Sequence, residues 1–304
     1  MEGHRAESIC SELHVFRGHQ PSGTGFIMGH EFTGTITELG PSVKTLSKGD
    51  KIVSPFTLSC GECFYCKNDF SSRCQKGLLF GSAVLDGAQA EYVRIPLADS
   101  TVVKAPEGIK DTALVLMADI WPTGFFAASN GFKHFTKEQI ADLTVVVIGC
   151  GPVGLCALIN AEEYKPKHLL AIDSVPSRLE LAKSLGAEPW NFQSDRVGLD
   201  KRVKELTDGR GADLVIEVVG LSPALKMGFE LLRPWGVISS VGVHNGEVRP
   251  SFPPTLCIHN LSPSQLTHHN CRSLGQATKP TAKICASRWV AVPYAQYSLK
   301  PWKC

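Results

Sequence analysis

Residues Thr144–Gly154 read TVVVIGCGPVG, a strand-forming run followed by Gly149, Gly151 and Gly154 in the order G-x-G-x-x-G. The apolar run predicts a buried strand, and the segment VGLCALINAEEY that follows predicts a helix. A glycine triplet alone carries little weight, but between a strand and a helix it has a physical meaning. The first glycine permits a tight turn, the second lets the backbone approach a pyrophosphate, and the third allows close helix–strand packing. The helix N-terminus favours the negative charge. Asp173 ends the next apolar run, LLAID, about twenty residues on, where a carboxylate can hydrogen-bond an adenosine ribose and would repel a 2′-phosphate. The stretch therefore predicts a site for NAD.

From Thr144 to Val241 the pattern repeats. LLAID, SRLELAKSLG, VKELTDG, DLVIEVV and GVISSVG alternate strand-like and helix-like segments. Such alternation implies an α/β fold, with a parallel sheet covered on both faces. Upstream, short apolar runs such as FTGTITEL and EYVRIP are separated by the turns GPS, KGD and LDG, as in a small β-rich domain. Downstream of Glu247 there is no acidic residue and the periodicity dissolves. The expected division is residues 1–122, β-rich; 123–256, dinucleotide-binding; and 257–304, an irregular and disordered tail. A metal appendage built from Cys257, His259, His268, His269 and Cys271 is set aside, because its spacing matches no standard zinc pattern.

The chain has 304 residues, enough for two cores, and its composition of 43% hydrophobic and 20% charged residues is that of a globular protein. A net charge of +2 gives no reason to expect nucleic acid or an anionic membrane surface. No apolar run approaches the roughly 20 residues of a membrane span. The opening MEGHRAESIC lacks the apolar core of a signal peptide, so a cytoplasmic location is expected.

Reduced thiols make a tight cysteine cluster a metal site rather than a disulfide framework. Cys60, Cys63, Cys66 and Cys74 space as C-x2-C-x2-C-x7-C. Four thiolates close a tetrahedral zinc shell and leave no place for substrate, so this ion would brace a loop. The bacterial iron–sulfur run has a shorter last gap and a proline after it, whereas Gln75 follows Cys74. Chemistry is expected elsewhere. His30 and Glu31, in GHEFTGTITELGPSV, and Cys10, Ser11, Glu12 and His14, in CSELHVFRGH, are candidates for a catalytic zinc, which needs three protein ligands and an open fourth place.

GHEFTGTITELGPSV fits the signature GHE-x2-G-x5-G-x2-V of the zinc-dependent medium-chain dehydrogenase/reductase family, alcohol dehydrogenase type. With the cysteine spacing and the glycine fingerprint, the sequence closely resembles that family from about Ser11 to Pro254. MADIWPTG resembles its formaldehyde dehydrogenase-like branch. The resemblance implies a GroES-like β-rich domain, a Rossmann domain and hydride transfer between an alcohol or aldehyde and NAD. It also implies a homo-oligomer, although the segment that would form the family's dimer contact is the one that does not match.

By the same resemblance His30 and Asp119 would be ligands of the catalytic zinc, with Cys10 as the remaining ligand and Glu31 beside the metal. Thr123 would lie near the nicotinamide, and Phe56 and Trp121 would line an apolar substrate pocket. Ser11 and His14 would relay the alcohol proton, and Asp173 and Arg178 would hold the adenosine ribose. CSELH is one residue shorter than the family's C-G-S-D/E-x-H. In a helical turn that step rotates the cysteine by about 100°. Either the backbone shifts so that Cys10 still reaches the metal, or the site keeps two ligands. Two readings follow: a working dehydrogenase, or a truncated, inactive remnant that binds NAD and structural zinc only.

Overall fold

Val145 and Val147 pack into one apolar core while Val146 and Ile148, the residues between them, pack into another. This period-two alternation places the strand Thr144–Ile148 at the centre of a sheet buried on both faces. The computed structural model describes residues 2–6, 10–18, 22–244 and 288–291, with side chains for 12–18 and 22–244. The strands are β1 (Glu2–Ala6), β2 (Phe32–Thr35), β3 (Lys51–Ser54), β4 (Val103–Lys104), β5 (Thr144–Ile148), β6 (His168–Asp173), β7 (Glu188–Asn191), β8 (Ala212–Glu217), β9 (Leu232–Ser240) and β10 (Arg288–Ala291).

Strands β5 to β10 form one parallel sheet in the order β10-β9-β8-β5-β6-β7. The order reverses between β5 and β8, which opens a crevice at the carboxyl ends of those strands. One core lies under the helices Ile120–Phe132 and Pro152–Glu162, and the other under Arg196–Leu206 and Ser222–Leu231. Each fully buried valine or leucine stabilises the fold by roughly 1.5–3 kcal/mol over its exposed state.

Strands β1 to β4 form a small antiparallel sheet. Its core places Phe32 edge-on to Phe80, ring centroids 5.1 Å apart, with Leu58, Leu85 and Val93 around them.

Four features were not legible in the sequence. EYVRIP gives Val93 to this core but adds no strand to either sheet among the described residues, and its Pro96 has no N–H for a ladder. The residues before Cys10 supply an edge strand, β1, which pairs with β2 from Glu2↔Thr35 to Ala6↔Phe32 through a bulge. The boundary expected at 122/123 falls inside the helix Ile120–Phe132. Finally, residues 288–291, expected to be disordered tail, form β10, parallel to β9. Trp289 and Val290 favour extended backbone, and the edge of β9 offers the partner groups that a local reading of sequence cannot see. The rest of the expected tail, including Cys257, His259, His268, His269 and Cys271, lies outside the described residues. Among the described residues no single helix is long and apolar enough to cross a membrane.

Candidate functional site

His30 follows Gly29, whose φ of +95° and close approach to Gln89 exclude a side chain. Hydrogen bonds from Gly87, Ala88 and Gln89 N–H to the carbonyls of Ile27, Gly29 and Met28 clamp the segment. The imidazole is thereby held in the interior, 6% exposed, beside Glu31 at 1%. Asp119 arrives from the turn before the helix Ile120–Phe132. Thr123, one turn into that helix, donates its hydroxyl to Asp119 Oδ1 at 2.6 Å and orients the other oxygen.

That oxygen, Asp119 Oδ2, lies 3.5 Å from His30 Nε2, and Glu31 Oε1 lies 3.9 Å from the same nitrogen. One ligand atom from each of His30, Glu31 and Asp119 falls within 4.8 Å of the others. On the far side of the ring, Glu12 Oε1 is 3.3 Å from Nδ1. Glu12 was a candidate in the sequence without an assigned partner. The helix Cys10–Phe16 turns it inward, where it is buried. Burial lowers the His30 pKa, but the neighbouring Asp119 and Glu12 outweigh it and push it from 6.5 up to about 10.

Three carboxylates around one imidazole are a costly interior arrangement unless a cation shares them. His30 Nε2 is buried with no hydrogen-bond partner among the described residues, as a metal-binding nitrogen would be. The imidazole and carboxylate donors suit zinc. These residues fit the ion. Phe56 is buried and sits edge-on to the His30 ring, centroids 6.2 Å apart, and Trp121 is half-buried on the Asp119 helix. His14 is half-buried on the same short helix as Glu12, while the side chains of Cys10 and Ser11 lie outside the described residues.

The sulfurs of Cys60, Cys63, Cys66 and Cys74 also lie within 4.8 Å of one another. Backbone N–H groups point at them, from Cys60 and Lys76 to Cys74 and from Cys63 to Cys60. The N–H groups of Gln75 and Cys66 hold the Cys63 thiol down at about 6, whereas burial pushes Cys66 up to about 12. Four thiols, none in a disulfide, in a cradle of N–H donors fit a closed Zn²⁺ shell.

At the carboxyl end of β5 the three glycines differ. Gly149 has φ +98°, and a Cβ on Gly154 would sit 1.8 Å from the Gly149 carbonyl oxygen. Around Gly151, apart from its chain neighbours, no atom of the described residues lies within 4 Å of that position, which leaves the N-terminus of the helix Pro152–Glu162 clear of them. Asp173 does more than its sequence position announced. Its Oδ2 accepts from Cys150 N at 2.7 Å, and its Oδ1 accepts from Ser174 and Val175 N–H, so it braces the turn. Arg178 Nη1 lies 3.6 Å from it.

Residues 4–107 match the alcohol dehydrogenase GroES-like domain, and residues 152–275 match the zinc-binding dehydrogenase domain, which reaches into the segment the sequence left unmatched. The chain is 75% identical over 242 residues to zinc-type alcohol dehydrogenase B of Aspergillus flavus, covering 79% of this chain and 56% of that protein, so it spans little more than half of that relative's length. It is 56% identical over 242 residues to the medium chain reductase/dehydrogenase ucsI of an Acremonium species, covering 79% of this chain and 83% of the relative. The alcohol dehydrogenase TADH from Thermus sp. ATN1 superposes with a TM-score of 0.70 at 35% identity, over 83% of this chain and 70% of that structure. With its two matched domains and its sheet order, the chain belongs to the zinc-type alcohol dehydrogenases of the medium-chain dehydrogenase/reductase family.

Proposed function

We propose that this chain is a zinc-dependent oxidoreductase that transfers hydride between an alcohol or aldehyde and NAD. The observation that carries the reading is the meeting of His30 Nε2 and its neighbour Glu31 with Asp119, from a distant segment, beside an apolar ring. His30 and Asp119 would hold the catalytic ion, Cys10 would complete the set, and Cys60, Cys63, Cys66 and Cys74 would hold a structural one. Bound zinc supplies a Lewis acid that makes a ligated hydroxyl more acidic. Bound NAD supplies the hydride acceptor.

The chain's own groups do the rest. Glu12 would keep the Nδ1 proton of His30, so that the proton displaced by the ion is the one on Nε2, the nitrogen that faces Asp119. Thr123 fixes the Asp119 carboxylate. Phe56 and Trp121 exclude water from the reacting end of the substrate. Ser11 and His14 would pass the substrate proton outward. Gly151 leaves room for the pyrophosphate, and Asp173 with Arg178 would take the ribose, the carboxylate disfavouring a 2′-phosphate.

The test is zinc content together with NADH formation from a panel of primary alcohols. One ion for each ligand group and turnover with NAD support the reading. Zinc at the cysteines alone, with no turnover by folded, zinc-replete protein, would leave the inactive remnant.

A further inference from the structure

Strand β8 carries a buried carboxylate at each end, Asp213 at 5% exposure and Glu217 at 0%. The two do different work. Asp213 accepts from Thr144 N at 2.9 Å and pairs with Arg233, at the end of the sheet away from the crevice. Glu217 stands at the carboxyl end, where the chain turns into the crevice. Its Oε1 accepts from Val219 N at 2.9 Å and Gly220 N at 2.7 Å, holding the loop after its own strand. Its Oε2 accepts from Ser240 Oγ at 2.6 Å and lies 3.3 Å from His244 Nε2, which reaches the end of β9 and the loop beyond it.

The two loops are in backbone contact. A Cβ on Gly220 would lie 2.4 Å from Val243 N, and one on Gly242 would lie 2.0 Å from Gly220 N. The β8 loop in turn touches the glycine turn. Val219 Cγ2 is 2.7 Å from the Cβ position of Gly149, and Val218 Cγ2 is 3.1 Å from that of Gly154. Two of the loops that line the crevice are therefore held by the Glu217 side chain, and the third, the glycine turn, packs on Val218 and Val219 of the β8 loop.

The hydrogen count makes the network exact in its demands. Ser240 has one hydroxyl proton and gives it to Glu217, so the 3.0 Å contact between Ser240 Oγ and His244 Nε2 uses the ring's Nε2–H. His244 Nδ1 is buried and without a hydrogen-bond partner among the described residues, so a proton there would have no acceptor among them. Burial pushes the Glu217 carboxyl up, but His244, Ser240 and Gly220 outweigh it and hold it below the usual carboxylate value.

We propose that Glu217, Ser240 and His244 form a positioning latch that sets the dinucleotide crevice by tying the loops after β8 and β9 to each other and to the glycine turn. The proposal rests on the reading of that crevice as a dinucleotide site. Glu217→Gln is the probing change because it keeps the shape. If its amide oxygen faces Val219 and Gly220, its NH₂ faces Ser240 and His244 and forces the ring proton onto the buried Nδ1. If it is reversed, two backbone N–H groups face an NH₂. Either way a buried donor loses its acceptor.

The experiment compares the full zinc-loaded chain with E217Q, S240A and the control D213N. NADH binding is followed by fluorescence, and amide hydrogen exchange is followed over residues 149–154, 218–220 and 241–244. E217Q is expected to weaken NADH binding about tenfold or more, which is ~1.4 kcal/mol or more, and to speed exchange in all three loops. S240A should do the same to a lesser degree. D213N should lower the melting temperature with NADH affinity unchanged. Wild-type NADH affinity in E217Q, or faster exchange confined to residues 218–220, would overturn the latch. Absence of NADH and NADPH binding by the wild-type chain would instead overturn the dinucleotide reading, and the exchange comparison would still decide whether the three loops are tied.

Discussion

Asp119 Oδ2 lies 3.5 Å from Nε2 of His30, although the two residues belong to different segments of the chain. Neither group alone would hold an ion, and the proposed metal site rests on their convergence. Asp119→Ala is therefore expected to remove the zinc of this group while leaving the ion at the cysteines, as read by metal analysis of the dialysed protein. Glu12→Gln keeps every direct ligand and should weaken the same site by about 10–100-fold, the usual cost of losing a carboxylate behind a metal-bound histidine. Full zinc content in Asp119→Ala would show that the ion is held elsewhere.

The pH dependence of metal uptake follows from His30. Its pKa is raised in the folded, metal-free chain, so its ion pairs contribute fully to stability below 6.5 and the contribution is lost as pH climbs through about 10. Zinc must displace that proton. Affinity at this site should rise with pH across the neutral range, with a proton released per ion bound. Calorimetry in buffers of different ionisation enthalpy measures the release, and an affinity flat across neutrality would refute it.

The cysteine site should behave differently. Cys63→Ser would remove one of the four ligands proposed to close around an ion, and the loss should appear as stability. At free zinc about 1,000-fold above Kd, the bound ion is worth ~4 kcal/mol to the fold. Thermal melts should show a clear drop for Cys63→Ser and for chelated wild type. An unchanged melt for both would deny the cluster its bracing role.

Two glycines separate folding from binding. Gly154→Ala would drive a methyl against the Gly149 carbonyl, 1.8 Å away, and should lower stability by more than the roughly 1–3 kcal/mol of ordinary overpacking. Among the described residues Gly151→Ala meets no atom within 4 Å beyond its chain neighbours, at φ −69°, so the melting temperature should stay put. NADH affinity should nevertheless fall about tenfold or more, ~1.4 kcal/mol, because the methyl occupies the space for the pyrophosphate. Wild-type affinity in Gly151→Ala would place the dinucleotide elsewhere.

The sequence by itself determined whatever depends on neighbours along the chain. The apolar run Val145–Ile148, the glycine turn after it and the four cysteines within fifteen residues each declare their geometry locally, because strand propensity, positive φ and thiolate spacing are short-range properties. Tertiary structure alone decided the rest. It brought Glu12 to Nδ1 of His30 and Asp119 to Nε2, gave β9 its neighbour β10, and made Asp173 a brace for Cys150 N–H. It also put Glu217, Ser240 and His244 into one network. All of those pairings but Ser240–His244 join residues distant in the chain, and what selects them is the burial of charge and of backbone N–H groups that must find partners once water is excluded.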